Sequence, residues 1–173
     1  VAMLRIHAVL PKSSANGPGL RAVVWFQGCT IRCPGCCNPD AQDSEGGTPF
    51  YAEDLAAWVL TQKVNGLTLS GGEPLEQTRA DLCAFLNIVR EADLSIVLFT
   101  GRNDVPEDVA CYLDAAIVGP YAGALSRQGM RASSNQRLVL YTSRYTREDF
   151  DKVPPVEVFV YPGGKVIRTG VGG

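Results

Sequence analysis

Short apolar runs rich in β-branched and aromatic residues alternate along this sequence with segments whose apolar residues recur at helical spacing. Runs typical of buried strands occupy 20–28, 66–71, 94–101, 115–119 and 137–142. Helical patterns occupy 51–62, 79–93 and 106–113. Because strands that alternate with helices form βα units with right-handed crossovers, this order predicts an α/β fold around a parallel sheet.

The two ends of the chain and two long stretches without periodicity complete the predicted architecture. "MLRIHAVL" predicts an edge strand, while "VEVFVY" and "KVIRTG", joined by "PGG", predict a hairpin. Residues 29–49 and 119–136 have no periodicity, and loops of this length inside a compact domain are usually functional. Since the sequence has no repeat and no linker, we expect one domain over 1–173.

Composition narrows the setting in which the chain works. Apolar residues make up 46% and charged residues 20%, an ordinary balance for a globular protein. No apolar run reaches the roughly 18 residues that span a bilayer, and "MLRIHAVLP" lacks the features of a secretory signal. We therefore expect a cytoplasmic protein with neither a membrane nor a nucleic acid as partner. In a reducing compartment, clustered cysteines indicate metal ligands or catalytic groups rather than structural disulfides.

The charges are segregated along the chain. Residues 1–39 contain no acid, 40–114 hold fourteen of the eighteen acids, and 115–147 again hold arginines without an acid. The arginines of this second basic stretch are Arg127, Arg131, Arg137, Arg144 and Arg147. If basic stretches converge in space they surround something anionic, and the alternative is a set of solvated arginines.

Four of the six cysteines lie within "CTIRCPGCC", directly after a predicted strand. Cys29, Cys33 and Cys36 have the spacing C-x3-C-x2-C. A structural zinc site requires a second pair of ligands, which the remaining cysteines and the lone His7 do not provide. A Cys-x-x-Cys redox motif opens a helix, whereas Pro39 interrupts this segment. Three thiolates remain for a four-iron cluster in which one iron is open to another ligand.

A second motif follows the next predicted strand. "GGEP" places Gly71, Gly72, Glu73 and Pro74 at the carboxyl end of the strand at 66–71, where α/β folds bind ligands. Glycines allow close approach of the backbone to a ligand, and the acid can accept a hydrogen bond from an ammonium group. Taken alone, the motif is more typical of a plain turn before a helix, and its position one strand after the cysteine triplet is what favours a ligand site.

The cysteine triplet followed by "GGEP" resembles the radical S-adenosylmethionine (SAM) superfamily. The chain is most similar to the short activating enzymes of glycyl-radical proteins, and in particular to the activating-protein family of anaerobic ribonucleoside-triphosphate reductases. The matching segments include "NGPGLRAVVWFQGC", "CPGCCNP", "LSGGEPL", "LFTGR", "LDAAIVGPY", "RASSNQR" and "GKVIRTG".

The resemblance implies a partial, open (β/α)6 barrel with a C-terminal hairpin. It implies a 4Fe-4S cluster on Cys29, Cys33 and Cys36, with SAM on the open iron and its methionyl end at Gly71, Gly72, Glu73 and Pro74. Candidates for polar contacts deeper in the site are Thr100, Ser133, Asn135 and Gln136. Arg137 is a candidate for the SAM carboxylate, and the alternative is that it opens a strand and points to solvent.

The implied reaction is reductive cleavage of SAM to methionine and a 5′-deoxyadenosyl radical. In an activase this radical removes a hydrogen atom from a glycine of a partner enzyme, and a flavodoxin or ferredoxin supplies the electron. One alternative is a short radical SAM enzyme that acts on a small molecule or peptide. Another is an iron-sulfur electron-transfer module without catalysis.

Several positions depart from the family pattern. Cys37 replaces an aromatic residue, Asn16 an Asp, Arg102 a Tyr, Val118 an acid and Ala132 a Gly. These departures leave SAM cleavage in place but make the partner uncertain. We expect Cys37 to be a small buried residue, and both Trp25 and Cys83 to belong to the core.

Overall fold

The computed structural model describes residues 3–127 and 129–170, which form two β-sheets and four helices of the α type. The strands are β1 (Leu4–Ser13), β2 (Arg21–Phe26), β3 (Thr48–Phe50), β4 (Gly66–Gly71), β5 (Ser95–Thr100), β6 (Ala115–Val118), β7 (Arg137–Leu140), β8 (Glu157–Val160) and β9 (Val166–Thr169). The helices are α1 (Ala52–Thr61), α2 (Arg79–Glu91), α3 (Glu107–Ala110) and α4 (Arg147–Asp151). Short 3-10 turns lie at Pro39–Gln42, Pro74–Glu76 and Gly123–Leu125.

Strands β1 to β7 form one mixed sheet in the order β3-β1-β2-β4-β5-β6-β7. Strands β2, β4, β5 and β6 run parallel, as the βα pattern predicts. Strand β1 is antiparallel to β2, β3 is antiparallel to β1, and β7 is antiparallel to β6. The parallel part of the described sheet therefore has four strands, so the six βα units implied by the resemblance are not all formed.

Two sequence predictions are corrected by this topology. The N-terminal strand is not at the edge, because β3 pairs with its outer side. Strand β3 has only three residues and begins in a stretch without periodicity, so no pattern in the sequence marks it. Strand β7 was expected to continue the parallel pattern, but the described residues of 119–136 form no helix of the α type to carry a crossover, and the chain returns antiparallel.

One face of the sheet carries the main core. Helices α1 and α2 pack there through fully buried side chains of both helices and of the strands beneath them, which include Leu55, Val59, Leu82, Phe85, Leu86, Leu69, Ile96 and Leu98. Because side chains alternate along a strand, the neighbouring residues point to the other face. A smaller cluster occupies that second face at β5, β6 and β7, with Val97, Ala115, Ile117, Leu138, Met130, Phe150 and Val153.

Arg21 links the amino ends of the parallel strands through hydrogen bonds. Its side chain is fully buried and donates to the Thr68 hydroxyl at 2.8 Å, the Leu67 carbonyl at 2.7 Å and the Ser95 carbonyl at 3.1 Å. Burial lowers the pKa of the guanidinium. Arg21 therefore joins β2, β4 and β5, and it does not belong to a surface for anions.

The predicted C-terminal hairpin is confirmed. Strands β8 and β9 pair antiparallel, with Val160 opposite Val166. The hairpin is tied to the end of β1 and the segment after it by three hydrogen bonds. The Ser13 hydroxyl and the Ser14 N–H donate to Glu157 at 2.8 and 3.0 Å, and the Asn16 amide donates to Thr169 at 2.8 Å. No helix among the described residues is long and apolar enough to cross a bilayer.

Candidate functional site

A cleft of about 530 Å³ opens at the carboxyl ends of β2, β4 and β5. It brings together residues from both predicted motifs and from the two long loops. The predicted site residues that line it are Cys29, Cys33, Cys36, Gly71, Gly72, Glu73, Thr100 and Gln136. Parallel strands end at the same edge of a sheet, so segments that are distant in the sequence meet there.

The cysteine loop is held at its base by backbone and side-chain bonds. Gly28 turns the chain out of β2 at a φ of 97°, and its N–H donates to the Ala41 carbonyl at 2.8 Å. The Cys29 N–H donates to the Gln42 carbonyl at 3.2 Å. The Gln27 amide donates to two further carbonyls, of Asp40 and Asp43. These bonds close the loop into a compact unit on the rim of the cleft.

Within this loop the three thiols of the triplet are half-buried, and a tight turn connects two of them. The Cys36 N–H donates to the Cys33 carbonyl at 3.1 Å, and the Asn38 N–H donates to the Cys36 sulfur at 3.4 Å. An N–H bond to sulfur stabilises a thiolate, which is the form that binds a metal. Cys37, in contrast, is exposed, so the prediction of a buried residue was wrong.

The surroundings of Cys29 favour the neutral thiol. Burial is the largest cause that raises its pKa, and the carboxylates of Glu73 and Glu76 add to the increase. Backbone N–H groups of Arg32 and Ile31 act in the opposite direction. A positively charged partner is therefore needed to hold Cys29 as a thiolate.

No group of three His, Cys, Asp or Glu side chains among the described residues is arranged to hold a single metal ion. The thiols of the triplet nevertheless line one continuous cleft. Three thiols on one wall of a cleft are a donor set that fits a four-iron cluster with one iron open to another ligand.

Glu73 is the buried acid of the cleft, with 1% of its surface exposed. Its carboxylate accepts from the Leu75 N–H at 3.0 Å, the Thr100 hydroxyl at 2.7 Å and the Gly101 N–H at 2.9 Å. Burial raises the pKa of Glu73, and these donors oppose the increase. An ammonium group in the cleft would supply the positive charge that the ionised carboxylate lacks.

The two glycines before Glu73 are required by the backbone around them. A Cβ on Gly71 would lie 2.5 Å from the Phe26 nitrogen, and one on Gly72 would lie 2.4 Å from the Gly28 oxygen. The Glu73 N–H also donates to that Gly28 oxygen at 2.8 Å. The glycines thus allow the end of β4 to pack against the start of the cysteine loop.

The loop at 119–136 contributes less to the cleft than its sequence predicts. Gln136 lines the cleft and donates to the Gly119 carbonyl at 3.0 Å. Ser133 is fully buried, and its hydroxyl accepts from the Ala122 N–H at 3.1 Å. The Asn135 amide donates to the Pro120 carbonyl at 2.8 Å. Neither Ser133 nor Asn135 lines the cleft, and both shape the loop that carries Gln136.

Two further candidates lie outside the cleft. Pro74 is buried at the start of a 3-10 turn, where its ring fixes the direction in which the chain leaves Glu73. The Arg137 side chain is 62% exposed, donates to the Asn103 carbonyl at 2.9 Å and lies 3.9 Å from Asp104. Of the two alternatives for Arg137, the structure therefore supports the solvent-exposed one.

The family departures occupy different environments. Asn16 and Ala132 line the cleft, whereas Val118 is buried in the core. Arg102 lies 3.2 Å from Glu76, which also accepts from the Thr30 N–H and hydroxyl. Glu76 thus connects the cysteine loop to the segment after β5.

Aromatic residues of the cleft wall were missed by sequence reasoning. Trp25 and Phe99 line the cleft, although Trp25 was predicted to be a core residue. The two strands share one burial pattern, in which the penultimate aromatic position is only partly buried. An aromatic residue just before the carboxyl end of a parallel strand is the signal that could have identified them.

Comparison with known proteins agrees with this geometry. A family model described as a 4Fe-4S single cluster domain matches residues 15–139. The chain is 32% identical over 151 residues to the anaerobic ribonucleoside-triphosphate reductase-activating protein of Enterobacteria phage T4, which covers 82% of this chain and 97% of that protein. The chain belongs to the radical SAM family of glycyl-radical-enzyme activating proteins.

Longer members of this activase family match over part of their length. The pyruvate formate-lyase-activating enzyme of Clostridium pasteurianum is 43% identical over 81 residues, which are 43% of this chain and 34% of that enzyme. The corresponding enzyme of Listeria monocytogenes is 39% identical over 79 residues, 42% of this chain and 32% of the enzyme. The chain therefore spans about a third of these two activases and nearly all of the phage protein.

Proposed function

We propose that this protein is a radical SAM activase that installs a glycyl radical on a partner enzyme. The observation that supports the proposal most directly is that the three thiols of the triplet and the Glu73 carboxylate line one cleft. Cys29, Cys33 and Cys36 would hold a 4Fe-4S cluster with one iron left for SAM. Bound there, the reduced cluster supplies the electron that splits SAM into methionine and a 5′-deoxyadenosyl radical.

The chain's own residues orient SAM and protect the reaction. Glu73 accepts from the SAM ammonium group, while Thr100 and Gly101 keep the carboxylate pointed toward it. Gly71 and Gly72 leave room for the methionyl end, and Gln136 offers a polar side chain on the wall of the cleft. Trp25 and Phe99 keep water from the reacting atoms.

The partner is inferred from the names of the relatives. A ribonucleoside-triphosphate reductase or a related glycyl-radical enzyme would present a glycine to the open side of the cleft. We propose that a flavodoxin or ferredoxin reduces the cluster and that the reaction takes place in the cytoplasm. A single radical SAM domain over 1–173, with the sheet curved as an open barrel around SAM, is part of the same proposal.

Anaerobic reconstitution with iron and sulfide, followed by dithionite and SAM, tests the function. The activase is expected to form 5′-deoxyadenosine, and a glycyl-radical EPR signal is expected when a glycyl-radical enzyme encoded near it is added. Formation of 5′-deoxyadenosine without a radical on any such partner would favour an enzyme acting on a small molecule or peptide. A reconstituted cluster that yields no 5′-deoxyadenosine would leave only an electron-transfer role.

A further inference from the structure

Another cavity, of about 260 Å³, lies beside the cleft on the sheet face away from α1 and α2. Phe99, Ile117 and Leu138 occupy one cross-strand row of β5, β6 and β7. Phe99 lines the cleft, while Ile117 and Leu138 line the cavity. The cavity is therefore the neighbour of the cleft along the sheet, and its floor is apolar.

Arginines surround this apolar floor. Within the part of the chain that the structure describes, the charged residues lining the cavity are Arg127, Arg131, Arg147 and Asp151. These arginines belong to the acid-free stretch of the sequence. Two other arginines of that stretch have acidic partners, since Arg137 lies 3.9 Å from Asp104 and Arg144 pairs with Asp93. Arg131 and Arg147, in contrast, have no acidic partner within residues 3–127 and 129–170.

Two of the cavity arginines make at most one hydrogen bond each with the described residues. The Arg147 side chain makes no hydrogen bond or ion pair with residues 3–127 or 129–170. Arg131 donates once, to the Gln136 carbonyl at 3.3 Å. The three arginines outnumber Asp151, the one acid among the charged residues that line the cavity, so the lining keeps an excess of positive charge that an anion would offset.

We propose that this cavity binds the phosphate group of a small anionic ligand. Guanidinium groups match phosphate oxygens with paired hydrogen bonds, and several cations favour an anion with more than one charge. The cavity has about half the volume of the cleft, which suits a phosphate or pyrophosphate group. Because Arg131 contacts the backbone of Gln136, a residue of the cleft wall, an occupied cavity can alter the cleft.

Calorimetric titration of the reconstituted protein with phosphate, pyrophosphate and succinate, in low-salt chloride buffer, tests the proposal. We expect phosphate or pyrophosphate to bind, and Arg131→Gln and Arg147→Gln each to weaken that binding about tenfold. Arg137→Gln changes an exposed arginine outside the cavity, so it should leave the affinity for phosphate or pyrophosphate within about twofold of that of the unchanged protein. The binding measurement is independent of SAM cleavage, so it stands or falls separately from the proposed activity.

Three results would overturn the phosphate site. One is that neither phosphate nor pyrophosphate binds at up to about 10 mM. Another is that the Arg131 and Arg147 variants, shown by circular dichroism to be folded, bind as tightly as the unchanged protein. The third is that succinate binds as tightly as the phosphates, which would assign the cavity to carboxylates.

An independent observation concerns two cysteines that the proposed reaction does not use. The sulfurs of Cys83, on α2, and Cys111, at the end of α3, both donate to the Asp108 carbonyl at 3.5 Å. The two sulfurs are therefore at most twice 3.5 Å apart. Cys111 is exposed and Cys83 is half-buried, so a reagent in solution reaches Cys111 first.

We infer that Cys83 and Cys111 form a reversible disulfide with a low-molecular-weight disulfide as oxidant. The Cys111 thiolate attacks the oxidant, forms a mixed disulfide and releases one thiol. The Cys83 thiolate then attacks the Cys111 sulfur and releases the second thiol, so the pair loses two electrons and two protons. The short α3 helix gives Cys111 the freedom to close the remaining gap. The bond would join the helices that follow β4 and β5, the strands that lead to Glu73 and Thr100.

Treatment of the anaerobic protein with oxidised glutathione, followed by peptide mass spectrometry, tests this inference. The expected product is a peptide pair linked through Cys83 and Cys111, a loss of two free thiols and a raised melting temperature. Cys83→Ser should leave Cys111 as a stable glutathione adduct, whereas Cys37→Ser should still form the linked pair. A linked pair involving other cysteines, or no linked pair at all, would overturn the inference.

Discussion

The Thr100 hydroxyl donates to the Glu73 carboxylate at 2.7 Å, and this bond joins the end of β5 to the acid that follows β4. It fixes an acid that burial would otherwise neutralise. We expect Thr100→Val to weaken SAM binding about tenfold, and Glu73→Gln about a hundredfold, because each change removes a charge-assisted contact. Equilibrium binding of SAM to the reconstituted protein is the measurement. The iron content should be unchanged in both variants, and a loss of iron would show that the cluster, rather than SAM, depends on this bond.

SAM affinity should depend on pH through Glu73. Its pKa is raised mainly by burial, so the carboxylate takes up a proton at a higher pH than an ordinary glutamate. As the pH falls through this raised pKa, the attraction for the ammonium group is lost and SAM binding weakens. The stability of the protein without SAM should change in the opposite direction. Between the raised pKa of Glu73 in the folded state and its lower pKa in the unfolded state, the folded protein binds more protons, so its free energy of unfolding rises as the pH falls.

The comparison of the unchanged protein with Glu73→Gln isolates both effects of pH. The variant should bind SAM weakly, and its affinity should not change over the pH range in which the affinity of the unchanged protein falls. The stability difference between the two proteins, from urea unfolding at each pH, should shift in favour of the unchanged protein on acidification. If SAM affinity and stability depended on pH in the same way in both proteins, the assignment of these effects to Glu73 would be contradicted.

Replacement of any one of the three proposed ligand cysteines should remove the cluster. Cys29→Ser, Cys33→Ser and Cys36→Ser are each expected to lose most of the iron bound after anaerobic reconstitution, because a serine hydroxyl is a poor ligand for iron-sulfur clusters. Cys37→Ser is the matched control, since Cys37 lines the same cleft outside the C-x3-C-x2-C spacing. Equal loss of iron in the Cys37 variant would show that the fourth thiol also binds the cluster.

A methyl group on Gly72 should push the "GGEP" segment away from the cysteine loop. The added carbon would lie 2.4 Å from the Gly28 oxygen and 2.8 Å from the Ala41 oxygen, both of which belong to the backbone. We expect Gly72→Ala to weaken SAM binding at least tenfold and to cost about 1–3 kcal/mol in the free energy of unfolding. Gly123→Ala is the control, because its added carbon meets atoms no closer than 3.7 Å. Equal effects of the two substitutions would contradict the steric argument.

Removal of the Arg21 guanidinium should destabilise the whole sheet. Arg21→Met leaves the buried carbonyls of Pro18, Leu67 and Ser95 without this donor, at a cost of about 3–5 kcal/mol in the free energy of unfolding. Arg137→Gln, on an exposed arginine, should change it by less than about 0.5 kcal/mol. Urea unfolding measures both, and a small effect at Arg21 would mean that water replaces its hydrogen bonds.

Periodicity predicted the parallel strands and both long helices because those elements bury a continuous apolar face. Strand β4 occupies the predicted residues 66–71, and α1 lies within one residue of its predicted range at each end. The edge strand β3 and the short α4 helix bury too few side chains to leave such a pattern. The position of β3 depends on a pairing partner that is distant in the sequence. The position of α4 depends on capping contacts that are too few to recognise in the sequence.

The two motifs were predictable for a different reason. Their residues are fixed by local chemistry: thiols at short spacing, and glycines followed by an acid. Gln136, Ser133 and Asn135 are adjacent in the sequence, yet only Gln136 lines the cleft, because the turns of the loop decide which side chain enters it. Periodicity cannot identify that choice in a loop without regular structure.

The place of Arg21 at the amino ends of the strands has a consequence for how such a protein can diverge. The sheet is fastened at the end opposite the one from which Thr100 and Glu73 reach the cleft. Three of the five departures from the family pattern, Val118, Arg102 and Ala132, lie at or beyond the carboxyl ends of strands, whereas Asn16 lies beside the Arg21 network, because its carbonyl accepts from the Thr68 hydroxyl. Under the proposed function, a lineage can exchange its partner by altering the carboxyl rim of the sheet, while Arg21 at the opposite rim preserves the register of the strands.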